Sequence, residues 1–373
     1  MSRSVEWCRS SEELKGWIDR IGPGPLALDS EADSLHHYRE KVCLIQLSFA
    51  DVDLLVDPLS GADPAVLGRT LLDPARRKLL HGADYDLRIL NRDYGLEFRG
   101  LFDTMIAARL VGERKFGLAA LLAEHFDVEL DKSLQRADWS RRPLPPAMAA
   151  YAAMDTRYLA PLAGALEARL DELGRTAWAD EEFEILEGVR WTEKPNEEAF
   201  RRIKRSGSLD RRGLAVLREL VRLREGLARG ADRPPFKVMS NDLLLAIARN
   251  RPTDRKQLDS LLPQKGGRVR RWSDDLLAGV DRAMTMPESA LPARRRRSMG
   301  RLANSAQTRL GDLALQRDAI AHELGLEPSV LAPRAVLEGA VIRATRGEDP
   351  RLTPGLRRWQ GEQLEVPLSG LTA

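Results

Sequence analysis

Short apolar runs alternate with amphipathic helical stretches up to about Ala177, and beyond that point strand-like runs disappear. This change of period narrows the fold more than any other feature. A sheet can be built only from the front of the chain, and everything behind it must bury itself helix on helix. In the front part, SEELKGWIDRIG has a Ser start, helical apolar spacing and a Gly stop. PLALDSEA, VCLIQLSFA and DLLVDPL read as three strands, DPAVLGRTLLD as a short helix, and RKLLHGA as a further strand. The helix DYDLRILNRDYG follows, then a short strand near Leu101–Phe102 and the helices DTMIAARLVG and GLAALLAEHF. A polar loop, DKSLQRADWSRRPLPP, leads to one long helix from about Ala147 to Leu173, expected to kink at Pro161. The expected architecture of this part is an α/β domain with a mixed sheet.

The boundaries follow the composition. Residues 1–175 form the α/β domain, and 176–209, including the acidic EEFEILEGV, read as a helical linker. Residues 210–288 read as a small all-α domain, 289–303 with PARRRRSMG as a basic linker, and 304–373 as a second all-α domain. The two helical segments align at an offset of 93, which pairs Arg224 with Arg317, Ala228 with Ala321 and Leu244 with Leu337. A shared order of Arg-acid, turn and apolar link points to a degenerate duplication.

The 373 residues are 43% hydrophobic and 31% charged, which suits a globular chain with a sizeable core. The net charge of +3 conceals a split. Residues 1–200 hold 25 Lys and Arg against 36 Asp and Glu, and residues 201–373 hold 34 against 20. An acidic front and a basic back suggest chemistry on one side and polyanion binding on the other. With only Cys8 and Cys43, neither a disulfide framework nor a cysteine zinc site is expected. No apolar stretch has the length of a membrane span, so a cytoplasmic, membrane-free protein is expected.

Three separated segments carry acids in unusual contexts. Asp29 and Glu31 lie two apart on a strand and so project to one side. The other Asp-x-Glu triplets, at Asp127 and Asp180, fall in a turn and on a helix, where that alignment is lost. Asp86 opens a helix after HGA, with Asp84 the expected cap. Tyr151 and Asp155 share a helix face, flanked by Ala149, Ala150, Ala152 and Ala153. Carboxylates converging without matching cations repel one another, and divalent metal ions relieve that repulsion. Asp33 is expected to be solvent-exposed, Asp103 to cap a helix, and Trp139 to anchor a loop. No histidine forms a ligand pair at helical spacing, and none is assigned to catalysis.

Asp-x-Glu on the first apolar strand, an Asp after His-Gly-Ala, and Tyr-x-x-x-Asp on a late helix resemble the DEDD exonuclease superfamily, tyrosine subclass. LDSEADSLHHYREKVCLIQLS, HGADYDLRIL, LFDTMIAARLVG, DKSLQRADWSRRPL and YAAMDTRYLAPL are similar to the bacterial ribonuclease D family, from about Leu26 to Leu170. PPFKVMSNDLLLAIA resembles that family's helicase-and-RNase-D C-terminal (HRDC) domain, and residues 304–368 a divergent second copy. The resemblance implies a ribonuclease H-like exonuclease domain followed by two HRDC-like domains. It also implies Asp29, Glu31, Asp86, Tyr151 and Asp155 as catalytic residues, the four acids binding two divalent ions, Mg²⁺ or Mn²⁺. The implied reaction is 3′–5′ removal of nucleoside 5′-monophosphates from RNA, in tRNA precursors and other structured RNAs, by a monomer. Ala32 stands where some members carry an aromatic residue. Gln46, Arg141 and Arg142 are candidate substrate contacts. Competing readings are a 3′–5′ DNA exonuclease and an inactive RNA-binding adaptor.

Overall fold

Six strands form one sheet in the order β1-β4-β3-β2-β5-β6. They are β1 (Ser4–Cys8), β2 (Leu26–Ala32), β3 (Val42–Phe49), β4 (Val52–Val56), β5 (Lys78–Leu80) and β6 (Leu101–Asp103). The computed structural model describes residues 3–193, 196–262, 267–294 and 304–371. β2 pairs antiparallel with β3 and parallel with β5, β3 pairs antiparallel with β4, and β1 and β6 add parallel edges. The sheet is therefore mixed, as the pattern of runs implied. β1 escapes a sequence reading because SVEWC is short, half-exposed and lacks a continuous apolar face.

Eight helices pack with the sheet: α1 (Ser11–Arg20), α2 (Gly68–Leu72), α3 (Asp84–Tyr94), α4 (Thr104–Val111), α5 (Leu118–Phe126), α6 (Pro146–Arg157), α7 (Leu159–Glu172) and α8 (Thr176–Glu187). The one long helix expected over 147–173 is two, parted at Tyr158 (φ −100°, ψ 2°). Pro161 does not kink a helix; it sits in the first turn of α7, where its absent N–H had no intrahelical partner to lose. Asp84 does not cap α3 but pairs with Arg88 one turn on. Asp33 is fully buried rather than exposed. Its carboxylate accepts the Lys41 N–H and meets the Lys41 ammonium at 3.0 Å, closing the loop between β2 and β3.

The chain divides into two compact units. The first comprises residues 3–32, 42–191 and 304–371, so the C-terminal helices share the core of the sheet domain. They are α15 (Asn304–Glu323), α16 (Pro328–Leu331), α17 (Arg334–Thr345), α18 (Arg358–Gln363) and α19 (Glu365–Ser369), following α9 to α14 of the second unit. The acidic run expected in a linker is in α8, whose Ala179, Phe183 and Leu186 are buried. Its acids serve the C-terminal helices. Glu182 accepts from Arg357 Nε and Trp359 Nε1, and Glu181 accepts the Arg358 and Trp359 N–H groups that open α18. Trp178 stacks on Trp359 with centroids 4.7 Å apart. At the ends of α4 and α15 a Cβ on Gly112 would lie 2.6 Å from the Gly325 carbonyl oxygen. Buried Arg175 spans this seam, donating to Leu110 O at 2.7 Å and Leu324 O at 2.5 Å.

The second unit comprises residues 33–41 and the described residues between 192 and 294. Its helices are α9 (Arg211–Gly230), α10 (Pro235–Val238), α11 (Asn241–Asn250), α12 (Arg255–Leu261), α13 (Gly267–Arg270) and α14 (Ser273–Thr285). Shifted by 93 residues, α9 falls on α15 and α10 on α16 from end to end, and α11 starts where α17 does. Arg224 donates to the Met239 carbonyl, and Arg317 to the carbonyl of Ala332, the residue 93 positions on. A shared buried contact of this kind supports duplication more strongly than the helix alignment alone. Of the expected basic linker, residues 295–303 lie outside the described residues. No described helix is long and apolar enough to cross a membrane.

Replacing Arg175 with Ala removes the donors from two carbonyls at helix ends, at about 1–3 kcal/mol for each buried group left unsatisfied. Urea unfolding of the full chain is expected to show the first unit destabilised by roughly 2–4 kcal/mol. An unchanged midpoint would mean that this seam contributes nothing.

Candidate active site

β2 brings Asp29 and Glu31 to one face, and α6 crosses β3 and β4 on that side with Tyr151 and Asp155. Each of Asp29, Glu31 and Asp155 offers a carboxylate oxygen, and the three oxygens lie within 4.8 Å of one another. Asp86 stands slightly apart, buried at the start of α3, where it accepts a 2.5 Å hydrogen bond from Ser30 Oγ. The three gathered acids open, with Tyr151, into a cleft of about 350 Å³ whose other walls include His81, Leu118, Leu130, Asp131 and Gln135.

Several devices hold this geometry. A bulge between Glu31 and Ala32 shifts the register, so that Ala32 stands opposite Val42 and Cys43 is skipped. The Cys43 carbonyl accepts instead from Arg142 at 2.6 Å, while Asp57 grips the same guanidinium from both oxygens. Arg142 is thus fully occupied in holding the loop before α6 on the sheet, and is not placed to meet phosphate. Trp139 of that loop is buried against Tyr151, as a loop anchor should be, whereas Arg141 is exposed. Gln46 lies opposite Asp29 in register but is fully buried, so it presents no surface to a nucleotide. Beneath α6, Thr156 donates to Ser48 Oγ at 2.7 Å, because the Ser48 proton is committed to Asp53. Arg157 closes the chain on Asp53 at 2.7 Å.

On the other side, Asp103 caps α4 through the Met105 and Ile106 N–H groups, as expected. It also accepts from Gly82 and Ala83, which fixes the His-Gly-Ala turn leading to Asp86. That turn needs glycine, since Gly82 has φ +74°.

The acids are held out of water and against one another. Burial first, then Asp86, Asp155 and Glu31, push Asp29 well above the carboxylate range. Burial and the neighbouring acids push Glu31 up to about 9, and burial raises Asp155 to about 7 and Asp86 to about 6. Burial and the same acids raise the Tyr151 phenol, which Gln135 hydrogen-bonds. Burial lowers the His81 imidazole. His81 and Gln135 are cleft residues that sequence reasoning missed. His81 stood in the quoted HGA turn, but no partner at ligand spacing marked it, and Gln135 sits in a loop without periodicity.

The 3′–5′ exonuclease family matches residues 5–171 and the HRDC domain family residues 213–280. Ribonuclease D of Pseudomonas paraeruginosa is 31% identical over 96% of this chain and 95% of its own length. The chain belongs to the ribonuclease D family. Ribonuclease D of Xanthomonas oryzae pv. oryzae is 30% identical over 98% of both chains. The crystal structure of Escherichia coli RNase D, an exoribonuclease involved in structured RNA processing, superposes with a TM-score of 0.77 over 99% of this chain and 98% of that one, at 28% identity. Ribonuclease D enzymes are hydrolytic 3′–5′ exoribonucleases, and the 3′–5′ exonuclease domain is one that uses divalent metal. The donors of this chain fit such an ion: Asp29, Glu31 and Asp155 offer oxygen alone, the preference of a hard cation.

These carboxyls bind protons more tightly folded than unfolded, where values near ~4 apply. Above that range the folded chain holds the extra protons, so stability falls as pH rises until about 9, where Glu31 ionises. In EDTA, the melting temperature of the full chain is expected to fall from about pH 5 to about pH 9, and Asp155→Asn to flatten the fall. A melting temperature rising over that interval would contradict the crowded-carboxylate account.

Proposed function

We propose that this chain trims 3′ extensions from tRNA precursors and other structured RNAs as a cytoplasmic monomer, releasing nucleoside 5′-monophosphates. In this reading Asp29, Glu31, Asp86 and Asp155 hold two divalent ions, Mg²⁺ or Mn²⁺. The observation that carries it is the convergence of three carboxylate oxygens within 4.8 Å at the floor of a cleft of about 350 Å³. That is room for one terminal nucleotide, and the carboxylates need cations to ionise together. When bound, such ions stabilise charge on the phosphoryl and leaving oxygens and acidify a water.

The chain's own residues supply the rest. Asp155 lies on a helix that the Ser48–Thr156–Asp53–Arg157 chain ties to β3 and β4, and β3 pairs in register with the Asp29 strand, so their spacing is preset. Tyr151 stays protonated at neutral pH, since burial and the acids raise its pKa. It is therefore an orienting hydroxyl for the attacking water rather than a base. Leu118, Ala119 and Leu130 give the cleft an apolar wall against which sugar and base can pack. In the hydrolysis, the water oxygen bonds to the terminal phosphorus, the bond to the penultimate 3′ oxygen breaks, and that oxygen leaves with a proton.

Residues 213–280 carry 14 Lys and Arg against 8 Asp and Glu, whereas residues 304–371 carry 8 against 9. Cationic RNA holding therefore falls to the first HRDC copy, and phosphate contacts there should make binding salt-sensitive. The second copy, near neutral and built into the core of the first unit, braces the nuclease.

Incubating the full chain with a 3′-extended tRNA, with and without Mg²⁺ or Mn²⁺, tests this reading. The expected result is a ladder of single-nucleotide steps with 5′-monophosphate products, abolished by EDTA. Asp155→Asn should lose roughly 100-fold or more in rate, as the loss of several kcal/mol of metal-borne stabilisation requires. Metal-dependent trimming retained by that variant would remove Asp155 from the site.

A further inference from the structure

We infer that His81 is the residue through which the cleft reads the 2′-hydroxyl of the terminal ribose, accepting its hydrogen bond on Nε2. The inference rests on the proposed nuclease reading and adds the group that tells RNA from DNA.

His81 Nδ1 lies 2.9 Å from Thr104 Oγ1, and that hydroxyl donates its single proton to the Leu80 carbonyl at 3.0 Å. Thr104 is fully buried and its hydroxyl has no second proton to give, so it accepts from His81 Nδ1–H. The neutral ring then carries its lone pair on Nε2, the opposite edge, where no hydrogen-bond partner occurs among the described residues. That edge belongs to a side chain lining the carboxylate cleft. An acceptor of fixed tautomer facing a substrate cleft calls for a donor from the substrate.

Position narrows the donor. β2 and β5 run parallel with Ala27 opposite Leu79. His81 directly follows the end of β5, and it lines the same cleft as Asp29, Glu31 and Asp155. His81 therefore sits one strand over from the acids at which the terminal phosphodiester is cut, within one nucleotide of the scissile bond. The terminal ribose offers two hydroxyl donors there. Only the 2′-hydroxyl distinguishes RNA from DNA. The other polar walls are engaged: Asp29, Glu31 and Asp155 face the proposed cations, Gln135 bonds Tyr151, and Asp131 accepts from the N–H and hydroxyl of Ser133.

The test uses the full chain and two RNA oligonucleotides that differ only in a 2′-deoxy terminal nucleotide, with kcat/KM read for the first cleavage. Wild type should favour the ribose end by about 10- to 100-fold, the range for one unpaired buried polar group. His81→Phe keeps the ring volume without the acceptor, and should bring the ratio near 1 by slowing only the ribose end. Thr104→Val leaves the imidazole but releases its tautomer, so the ratio should fall part-way; it decides the matter if His81→Phe does not fold. Equal losses on both ends, or a wild-type ratio persisting in the variants, would overturn the inference. A wild-type chain inactive on both ends would instead overturn the nuclease reading itself, and the subsite with it.

Discussion

Three carboxylates with oxygens inside 4.8 Å form an arrangement that no peptide adopts unaided. Mutual repulsion and lost hydration both oppose it, which is why burial and neighbouring acids drive Asp29 and Glu31 so far above their ordinary range. The surrounding fold supplies the force that keeps them together. β2 lies at the middle of the sheet, paired on both edges, so its two acids cannot swing apart without breaking β ladders. The third acid arrives on a helix bolted to β3 and β4 from below.

Buried polar side chains do most of that bolting. Thr156, Ser48, Asp53 and Arg157 form one chain in which both hydroxyl protons have an assigned acceptor, and such buried networks hold a helix in a single register. Arg142 fills the gap left by the β3 bulge and pins the loop before α6. Asp103 closes the opposite wall by capping α4 and gripping the His-Gly-Ala turn. None of these residues touches the cleft, yet each limits where a cleft residue can go.

The two helical segments related by the offset of 93 differ in their surroundings. Both have a buried arginine on the long helix that donates to the carbonyl just after the short helix, tying the two together. Their charge differs: the first is strongly cationic, the second near neutral. The second packs on α8, whose acids and Trp178 take up Arg357, Trp359 and the open end of α18.

The sequence by itself determined the mixed α/β front, the helical back, the offset of 93 and the acids that meet, because strand period, helix period and motif spacing are local properties. It also showed Asp103 as a cap and Trp139 as an anchor, both read from immediate neighbours. Only the tertiary structure decided what distant partners do to a side chain. Arg142 looked like a phosphate contact until Asp57 and Cys43, about a hundred residues away, were seen to hold it. Asp33 looked exposed until Lys41 closed over it, and Gln46 looked available until both strand neighbours and α6 covered it. His81 looked idle because its hydrogen bonding depends on Thr104, 23 residues on, and its place in the cleft wall on the fold around it. Burial and proton ownership are set by partners far along the chain, and no local pattern encodes them.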